Sequence, residues 1–367
     1  MPYEPYWPEQ VFVEQRVLAH PVSQQILDRL SPLQPMVIDN LRELSVHPPH
    51  LISHTSSRSR PLVLAFQKSK FLKKCPGTKK YICCGYQILN LVNNCELGCS
   101  YCILQGYLNS PFITIYVNID DLFSELQDTL AAQPPKIYRI GTGELADSLS
   151  TDHLTNYSSQ LVQFFKNKQN AIIELKTKTT QIDNFLHLDH GGRTIVAWSL
   201  NTPQMIASEE PWAPTLDERL AAAVRCQAAG FKLAFHFDPM IWYPNWEEEY
   251  RKVVDKIFEH IAPDHIIWIS LGALRYPHQL EAIIRGQHPE TKIVYGELVP
   301  GLDGKLRYFK ALRIEMFGKM YRWIKQHAPQ VFVYLCMESH EVWQRAFGWS
   351  PRTSAGLKRI MDQLLQK

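Results

Sequence analysis

Short apolar runs typical of buried strands recur along the chain from residue 86 onward. In chain order they are YQILNLV, FITIYVN, KIYRIGTG, IIELKTK, TIVAWSL, FKLAFHF, HIIWISLG and VFVYLCM. Segments with the apolar spacing of helices separate them, among them DDLFSELQDTLAA, DERLAAAVRCQAAG and WEEEYRKVVDKIFEHI. Strands that alternate with helices predict an α/β fold with a parallel sheet, either open or closed into a barrel.

The alternation predicts three parts of the chain. Residues 1–80 show little of it and predict an irregular or helical N-terminal cap. Residues 81–340 hold the alternating strands and helices, and residues 341–367 predict a helical C-terminal extension. The chemistry of parallel α/β proteins sits at the C-terminal ends of the strands. The residues that directly follow each run are therefore candidate site residues.

Composition narrows the class of protein. The chain has 367 residues, 45% of them apolar, which excludes a disordered protein or a disulfide-stapled miniprotein. The N-terminus, MPYEPYWPEQ, lacks the basic and apolar regions of a signal peptide, and no stretch reaches about 18 apolar residues. We therefore expect a cytoplasmic protein with no membrane partner, whose eight cysteines are reduced. A net charge of +3 is too small to indicate nucleic-acid binding by itself.

Three cysteines follow the first run at a C-x₃-C-x₂-C spacing: Cys95, Cys99 and Cys102. A structural zinc site needs four nitrogen or sulfur ligands, and a 4Fe-4S cluster bound by protein alone needs four thiolates. Three thiolates in one loop leave one iron open for another ligand. The alternative is three buried structural thiols, which leaves the spacing and the strand end as coincidence.

This spacing after the first strand of an α/β barrel resembles the signature of the radical S-adenosylmethionine (SAM) enzymes. The resemblance implies a partial (β/α) barrel over residues 81–340 and a 4Fe-4S cluster held by the three cysteines. It also implies that SAM binds the fourth iron through its amino and carboxylate groups. Tyr101 fits the family as the aromatic residue before the third cysteine.

Polar residues after three later runs suit the charged part of SAM. The segment GTGE at residues 141–144 resembles the Gly-Gly-Glu motif of the family, in which glycine permits close backbone approach and the carboxylate accepts from an ammonium group. Cations and hydroxyl or amide groups follow the next two runs and suit the SAM carboxylate. The predicted cofactor contacts are Tyr101, Gly143, Glu144, Lys178, Ser199 and Asn201.

Within that superfamily, the chain resembles the spore photoproduct lyase family over most of its length. The matching segments include CSYCILQ, PFITIYVNIDDLF, STDHLT, LKTKTTQIDNFL, WSLNT, DERLAAAVRCQAAGFKLAFHFDPM and NWEEEY. The resemblance implies a lyase that repairs a thymine photolesion in DNA through a 5′-deoxyadenosyl radical. It also implies an electron donor such as flavodoxin or ferredoxin.

Two positions depart from the family pattern. Gly141 stands where the family has the cysteine that donates a hydrogen atom to the product radical, and Ile103 replaces the aromatic residue after the third cluster cysteine. We expect another thiol to donate, with Cys336 as the first candidate and Cys84 as the second; for each, the alternative is a buried packing role. Cys83 is a further candidate.

Basic and aromatic residues alternate in a late segment, GLDGKLRYFKALRIEMFGKMYRWIK. Basic side chains neutralise phosphates and aromatic rings stack on unpaired bases. The turn at residues 300–312 is the predicted DNA contact, through Lys305, Arg307, Tyr308 and Lys310; the part after Leu312 fits equally an amphipathic helix with a solvated basic face. Two other functions stay open: a radical SAM enzyme with a different nucleic-acid or small-molecule substrate, and a non-catalytic iron–sulfur redox sensor that binds DNA.

Overall fold

The computed structural model describes residues 3–46, 60–75, 77–78, 80–108, 110–133 and 136–365. Residues 1–2, 47–59, 76 and 79 of the predicted cap, and the last two residues of the predicted C-terminal extension, lie outside this range. The chain forms two compact units. Unit 1 comprises Met1–Lys74, Gln87–Cys99 and Leu104–Thr194, and unit 2 comprises Cys75–Tyr86, Ser100–Ile103 and Ile195–Lys367.

The strands and helices follow the predicted alternation. The strands are β1 (Val11–Glu14), β2 (Met36–Ile38), β3 (Leu62–Ala65), β4 (Leu72–Lys74), β5 (Gln87–Leu89), β6 (Val92–Asn93), β7 (Ile113–Tyr116), β8 (Tyr138–Gly141), β9 (Ala171–Thr177), β10 (Thr194–Ser199), β11 (Lys232–Met240), β12 (Ile266–Ala273), β13 (Arg275–Tyr276), β14 (Val299–Pro300), β15 (Leu306–Arg307) and β16 (Phe332–Leu335). The helices are α1 (Pro21–Arg29), α2 (Leu41–Val46), α3 (Leu104–Tyr107), α4 (Ile119–Ala132), α5 (Asp152–Thr155), α6 (Tyr157–Phe165), α7 (Pro203–Glu209), α8 (Leu216–Ala228), α9 (Trp246–His260), α10 (His278–Gln287), α11 (Lys310–His327), α12 (His340–Phe347) and α13 (Ser354–Leu364).

Unit 1 contains two groups of strands. In one, β1, β3 and β7 lie side by side and parallel, with β2 and β6 at the edges. In the other, β5, β8 and β9 are parallel, and β4 pairs with β5 in the antiparallel sense. The described part of residues 1–80 contains helices α1 and α2 and also strands β1 to β4, which the expectation of an irregular or helical cap did not include. Strands β1 and β3 are four residues long and buried throughout, so they show no alternation of polar and apolar positions.

Unit 2 is built on the parallel strands β10, β11, β12 and β16, in that spatial order. Their sequences are almost continuously apolar, as expected for parallel strands covered on both faces. Helix α8 begins with a capping box formed by Thr215 and Glu218. A small antiparallel sheet, in the order β13, β15, β14, carries the predicted DNA-binding turn.

Helices near the C-terminus agree with the sequence pattern. The amphipathic helix predicted after Leu312 is α11, which begins three residues earlier than the pattern indicated. Helix α12 begins one residue before the predicted C-terminal extension, and α13 lies within it. Within the described ranges, no helix combines the length and apolar composition needed to cross a bilayer.

Candidate cluster and cofactor site

The three cysteines predicted to bind the cluster lie on the loop between β6 and α3. Asn94 starts this loop with a φ of 75°, a left-handed conformation that asparagine adopts more readily than most residues. Its amide nitrogen donates to the carbonyls of Ser110 and Phe112, at 2.9 and 3.2 Å, and its amide oxygen accepts from the Cys95 nitrogen at 3.0 Å. The start of the loop is therefore fixed by one side chain.

The thiols differ in their surroundings. Burial raises the pKa of the Cys95 thiol well above its usual range, and the carboxylates of Glu96 and Asp147 add to this by repulsion. Burial also raises the pKa of Glu96 to about 7. Cys99 is buried and Cys102 is half-buried. A thiol must lose its proton to bind iron, so a positively charged metal centre would compensate the negative charge in this loop.

The three cysteines supply thiolates, the ligands that iron–sulfur clusters take from proteins. In the part of the chain that the structure describes, no three Cys, His, Asp or Glu side chains are gathered as ligands of one metal ion. A single zinc ion draws all its thiolates to about 2.3 Å from one centre. In a 4Fe-4S cluster each thiolate binds a different iron, so the thiols stand further apart. Three thiolates on one loop would supply a ligand to three of the four irons, so the chemistry of the donor set fits such a cluster.

Gly143 is required by the close approach of β9. A Cβ atom at this position would lie 2.8 Å from the carbonyl oxygen and 2.9 Å from the Cβ of Lys176. The next residue, Glu144, forms an ion pair with Lys176 at 2.6 Å, and both side chains are partly exposed, by 33% and 21%. The Glu144 carboxylate is thus held by a cation at a position that solvent reaches.

Asp147 fixes the loop that follows β8, and the sequence analysis missed it. One carboxylate oxygen accepts from the backbone nitrogens of Leu149 and Ser150, at 2.9 and 3.1 Å. The other accepts from the backbone nitrogen of Lys178 at 2.7 Å. Asp147 therefore sets the backbone position of Lys178, a predicted SAM contact. The signal was the segment ADSLS, since aspartate often bonds to backbone nitrogens two or three residues ahead.

The two predicted contacts after β10 differ in accessibility. Ser199 ends the strand and is half-buried. Asn201 is only 1% exposed, and its amide donates to the carbonyl of Pro239 at 3.2 Å and accepts from the Tyr250 hydroxyl at 2.7 Å. These bonds hold the Asn201 amide inside the protein, and its contact with SAM stays a prediction.

The predicted DNA-binding turn forms, but two of its side chains point inward. Arg307 is 1% exposed, pairs with Asp303 at 2.7 Å and lies over the ring of Tyr81 at 4.2 Å. Tyr308 is 5% exposed, and its hydroxyl accepts from the Trp242 nitrogen at 3.0 Å. The expectation that Arg307 and Tyr308 contact DNA directly is corrected, because burial removes both side chains from the surface.

The two lysines of the turn remain closer to solvent. Lys305 is half-buried, and burial, followed by the nearby cation of Arg275, lowers the pKa of its ammonium. Lys310 has a side chain 50% exposed and pairs with Glu341 at 2.6 Å. Sequence reasoning also missed Leu302 in this turn, which is 60% exposed.

Cys336 lies directly after β16 rather than within it. Its sulfur accepts from the Arg275 guanidinium at 3.5 Å, and Arg275 holds Asp238 through two bonds of 2.9 Å. Burial raises the pKa of the Cys336 thiol, and repulsion from Asp238 adds to this. The thiol therefore keeps its S–H bond at neutral pH.

Cys84 lies near Cys336. Ile82 and Glu338 form an antiparallel bridge, with the Ile82 nitrogen donating to the Glu338 carbonyl at 2.9 Å. The bridge brings the segment around Ile82 against the residues that follow β16. The two sulfurs also interact electrostatically. The two candidate hydrogen donors from the sequence are therefore neighbours.

Comparison with known proteins identifies relatives over nearly the whole chain. The family model for spore photoproduct lyase matches residues 6–299. Spore photoproduct lyase from Bacillus subtilis (strain 168) is 27% identical over 336 residues, which cover 88% of this chain and 93% of that protein. The lyase from Geobacillus sp. (strain Y412MC61) is 26% identical, over 87% of this chain and 92% of that protein.

Solved structures share the fold. A cysteine-to-alanine mutant of spore photoproduct lyase has a TM-score of 0.81 at 23% identity, over 90% of this chain and 100% of that one. A second mutant, with bound AdoMet and dinucleoside spore photoproduct, has a TM-score of 0.79 at 23% identity and the same coverage. The predicted fold class, an α/β partial barrel, is confirmed. Since the family model spans most of the sequence, the chain belongs to the spore photoproduct lyase family.

Proposed function

We propose that this protein is a radical SAM lyase that repairs a thymine photolesion in DNA. The observation that carries the proposal is the family match over residues 6–299, which contains the three-cysteine loop and the strand ends around it. The relative solved with AdoMet and dinucleoside spore photoproduct supports the same cofactor and substrate class here.

Cys95, Cys99 and Cys102 would hold the 4Fe-4S cluster, with SAM on the open iron. Reduced by a donor such as flavodoxin or ferredoxin, this cluster would supply the electron that splits SAM into methionine and a 5′-deoxyadenosyl radical able to take a hydrogen atom from the substrate. Glu144 would accept from the SAM ammonium in place of its bond to Lys176. Tyr101, Lys178 and Ser199 complete the proposed contacts.

The turn between β14 and β15 is the proposed DNA contact. A DNA substrate also supports the proposal that the protein is cytoplasmic. Lys305 and Lys310 would neutralise phosphates. Leu302 and Phe309, which are 60% and 47% exposed, flank these lysines. Apolar side chains inserted between base steps unstack them, which helps to expose a lesion. Arg307 would support the turn from inside rather than touch DNA.

Cys336 is the proposed hydrogen donor, with Cys84 as its neighbour. The product radical breaks the weak S–H bond and forms a C–H bond, leaving a thiyl radical on the protein. Donation requires a protonated thiol, which the burial of Cys336 favours. Arg275 orients the sulfur through its 3.5 Å contact.

The donor assignment is tested with Cys336→Ala, Cys84→Ala and the double variant, using Cys226→Ala, a buried thiol on α8, as the control. We expect Cys336→Ala to form by-products instead of thymine, and the double variant to form more. Clean thymine formation by the double variant would remove both cysteines from the donor role.

The activity is tested by anaerobic reconstitution followed by incubation with SAM, reductant and a lesion-containing oligonucleotide. We expect about four irons per chain, 5′-deoxyadenosine and repaired thymine, and we expect Cys99→Ala to lose all three. Formation of 5′-deoxyadenosine without repair would favour a different substrate. A cluster with DNA binding but no SAM cleavage would favour the redox sensor.

A further inference from the structure

Two consecutive carboxylates hold the two residues that precede the third cluster cysteine. The backbone nitrogen of Ser100 donates to the Glu209 carbonyl at 2.9 Å, and its hydroxyl donates to the Glu209 carboxylate. The Tyr101 hydroxyl donates to the carboxylate of Glu210. Both contacts end within two residues of Cys102, so the end of α7 fixes this part of the loop.

Both carboxylates are buried, Glu209 being 4% and Glu210 2% exposed. A buried carboxylate is stable only where cations or hydrogen-bond donors surround it. Glu210 pairs with Arg219, which is fully buried. Glu209 accepts in addition from the Thr291 hydroxyl at 2.5 Å. The hydroxyls of Ser100 and Tyr101 are therefore part of a hydrogen-bond network around these two carboxylates. If the cysteine loop moved away, the buried carboxylates would lose these donors.

The same network reaches a second proposed SAM contact. Arg219 donates to the backbone carbonyl of Ser199 at 2.9 Å, at the C-terminal end of β10, and to the Pro214 carbonyl at 2.9 Å. A single buried ion pair thus connects Tyr101 with the strand end that carries Ser199. These two residues are about a hundred positions apart in sequence.

We propose that Glu210 and Arg219 are positioning residues for SAM: they hold the Tyr101 ring and the end of β10 in the arrangement that binds the cofactor. The inference rests on the proposed function, because it takes Tyr101 and Ser199 as cofactor contacts. Neither Glu210 nor Arg219 touches the cofactor in this account. Their effect on SAM passes through the loop and the strand.

Tyr101→Phe tests the proposal, because it keeps the ring and removes only the hydroxyl that bonds to Glu210. In the reconstituted protein we expect the iron content to stay unchanged. SAM affinity should fall about tenfold, which corresponds to the loss of one charge-assisted hydrogen bond. SAM should also cause a smaller change in the electron paramagnetic resonance spectrum of the reduced cluster. Tyr107→Phe is the matched control, since Tyr107 is 62% exposed and lies six residues further on. It should behave as wild type.

Glu210→Gln is the second variant. It keeps an oxygen that accepts from Tyr101 but removes the charge that faces Arg219, so we expect SAM affinity between that of wild type and Tyr101→Phe. A purely structural bond would lower the melting temperature and leave SAM affinity and the spectral change unaltered, which would overturn the proposal. Wild-type protein that carries a cluster yet binds no SAM would overturn the proposed function itself.

Discussion

Replacing Gly143 by alanine tests how closely the loop after β8 must approach β9. The added Cβ would lie 2.8 Å from a carbonyl oxygen and 2.9 Å from the Cβ of Lys176. Both are atoms on or next to the backbone, so neither moves away without shifting the strand. The next residue in the loop is Glu144, which would move with it.

The expected loss of stability follows from two opposing effects. Overpacking of a well-filled site costs about 1–3 kcal/mol. Replacement of glycine by alanine restricts the unfolded chain and returns about 0.4–1 kcal/mol. The net loss for Gly143→Ala is about 1–2 kcal/mol, which lowers the melting temperature by roughly 2–8 °C in a unit of this size. SAM affinity should fall as well, because the Glu144 carboxylate is displaced.

Gly286→Ala is the matched control, since a Cβ there meets nothing within 4 Å and the residue lies in helix α10. It should leave SAM binding unchanged and stabilise the protein by about 0.5–1 kcal/mol, the helical preference of alanine over glycine. Differential scanning fluorimetry and equilibrium SAM binding measure both variants. If Gly143→Ala has the same melting temperature as Gly286→Ala and binds SAM with wild-type affinity, the steric reasoning is wrong.

Three further substitutions have defined outcomes. Arg307→Ala should destabilise the protein by about 3–5 kcal/mol in urea titrations, because it leaves Asp303 without its buried cation, and the salt dependence of DNA binding should stay unchanged. Glu338→Gln should cost stability in the same titration, because Arg313 is only 6% exposed and pairs with this carboxylate at 2.8 Å. Gly272→Ala should raise the yield of by-products in the repair assay, since its Cβ would come within 2.5 Å of the carboxylate that holds Arg275; a wild-type product pattern would contradict this.

The predicted strands and the cysteine loop agree with the structure to within a few residues, because they depend on neighbours in sequence. The run IIELKTK became β9 and TIVAWSL became β10, and the spacing of Cys95, Cys99 and Cys102 placed them on one loop before any tertiary contact was known. The strands of the N-terminal segment were not recognised. Strands β1 and β3 are short and fully buried, and β2 and β4 have only three residues each, so none of the four shows a clear period.

The sequence by itself determined the α/β alternation, the three-thiol loop and the family, since each of these depends on consecutive or regularly spaced residues. Tertiary structure alone decided which polar side chains remain available. Arg307 and Asn201 look like ligands in sequence but are buried, Asn201 against Tyr250, 49 positions away. Glu210 looks unremarkable in sequence, yet it holds Tyr101 from 109 positions away. Burial and pairing depend on such distant partners, which local pattern does not encode.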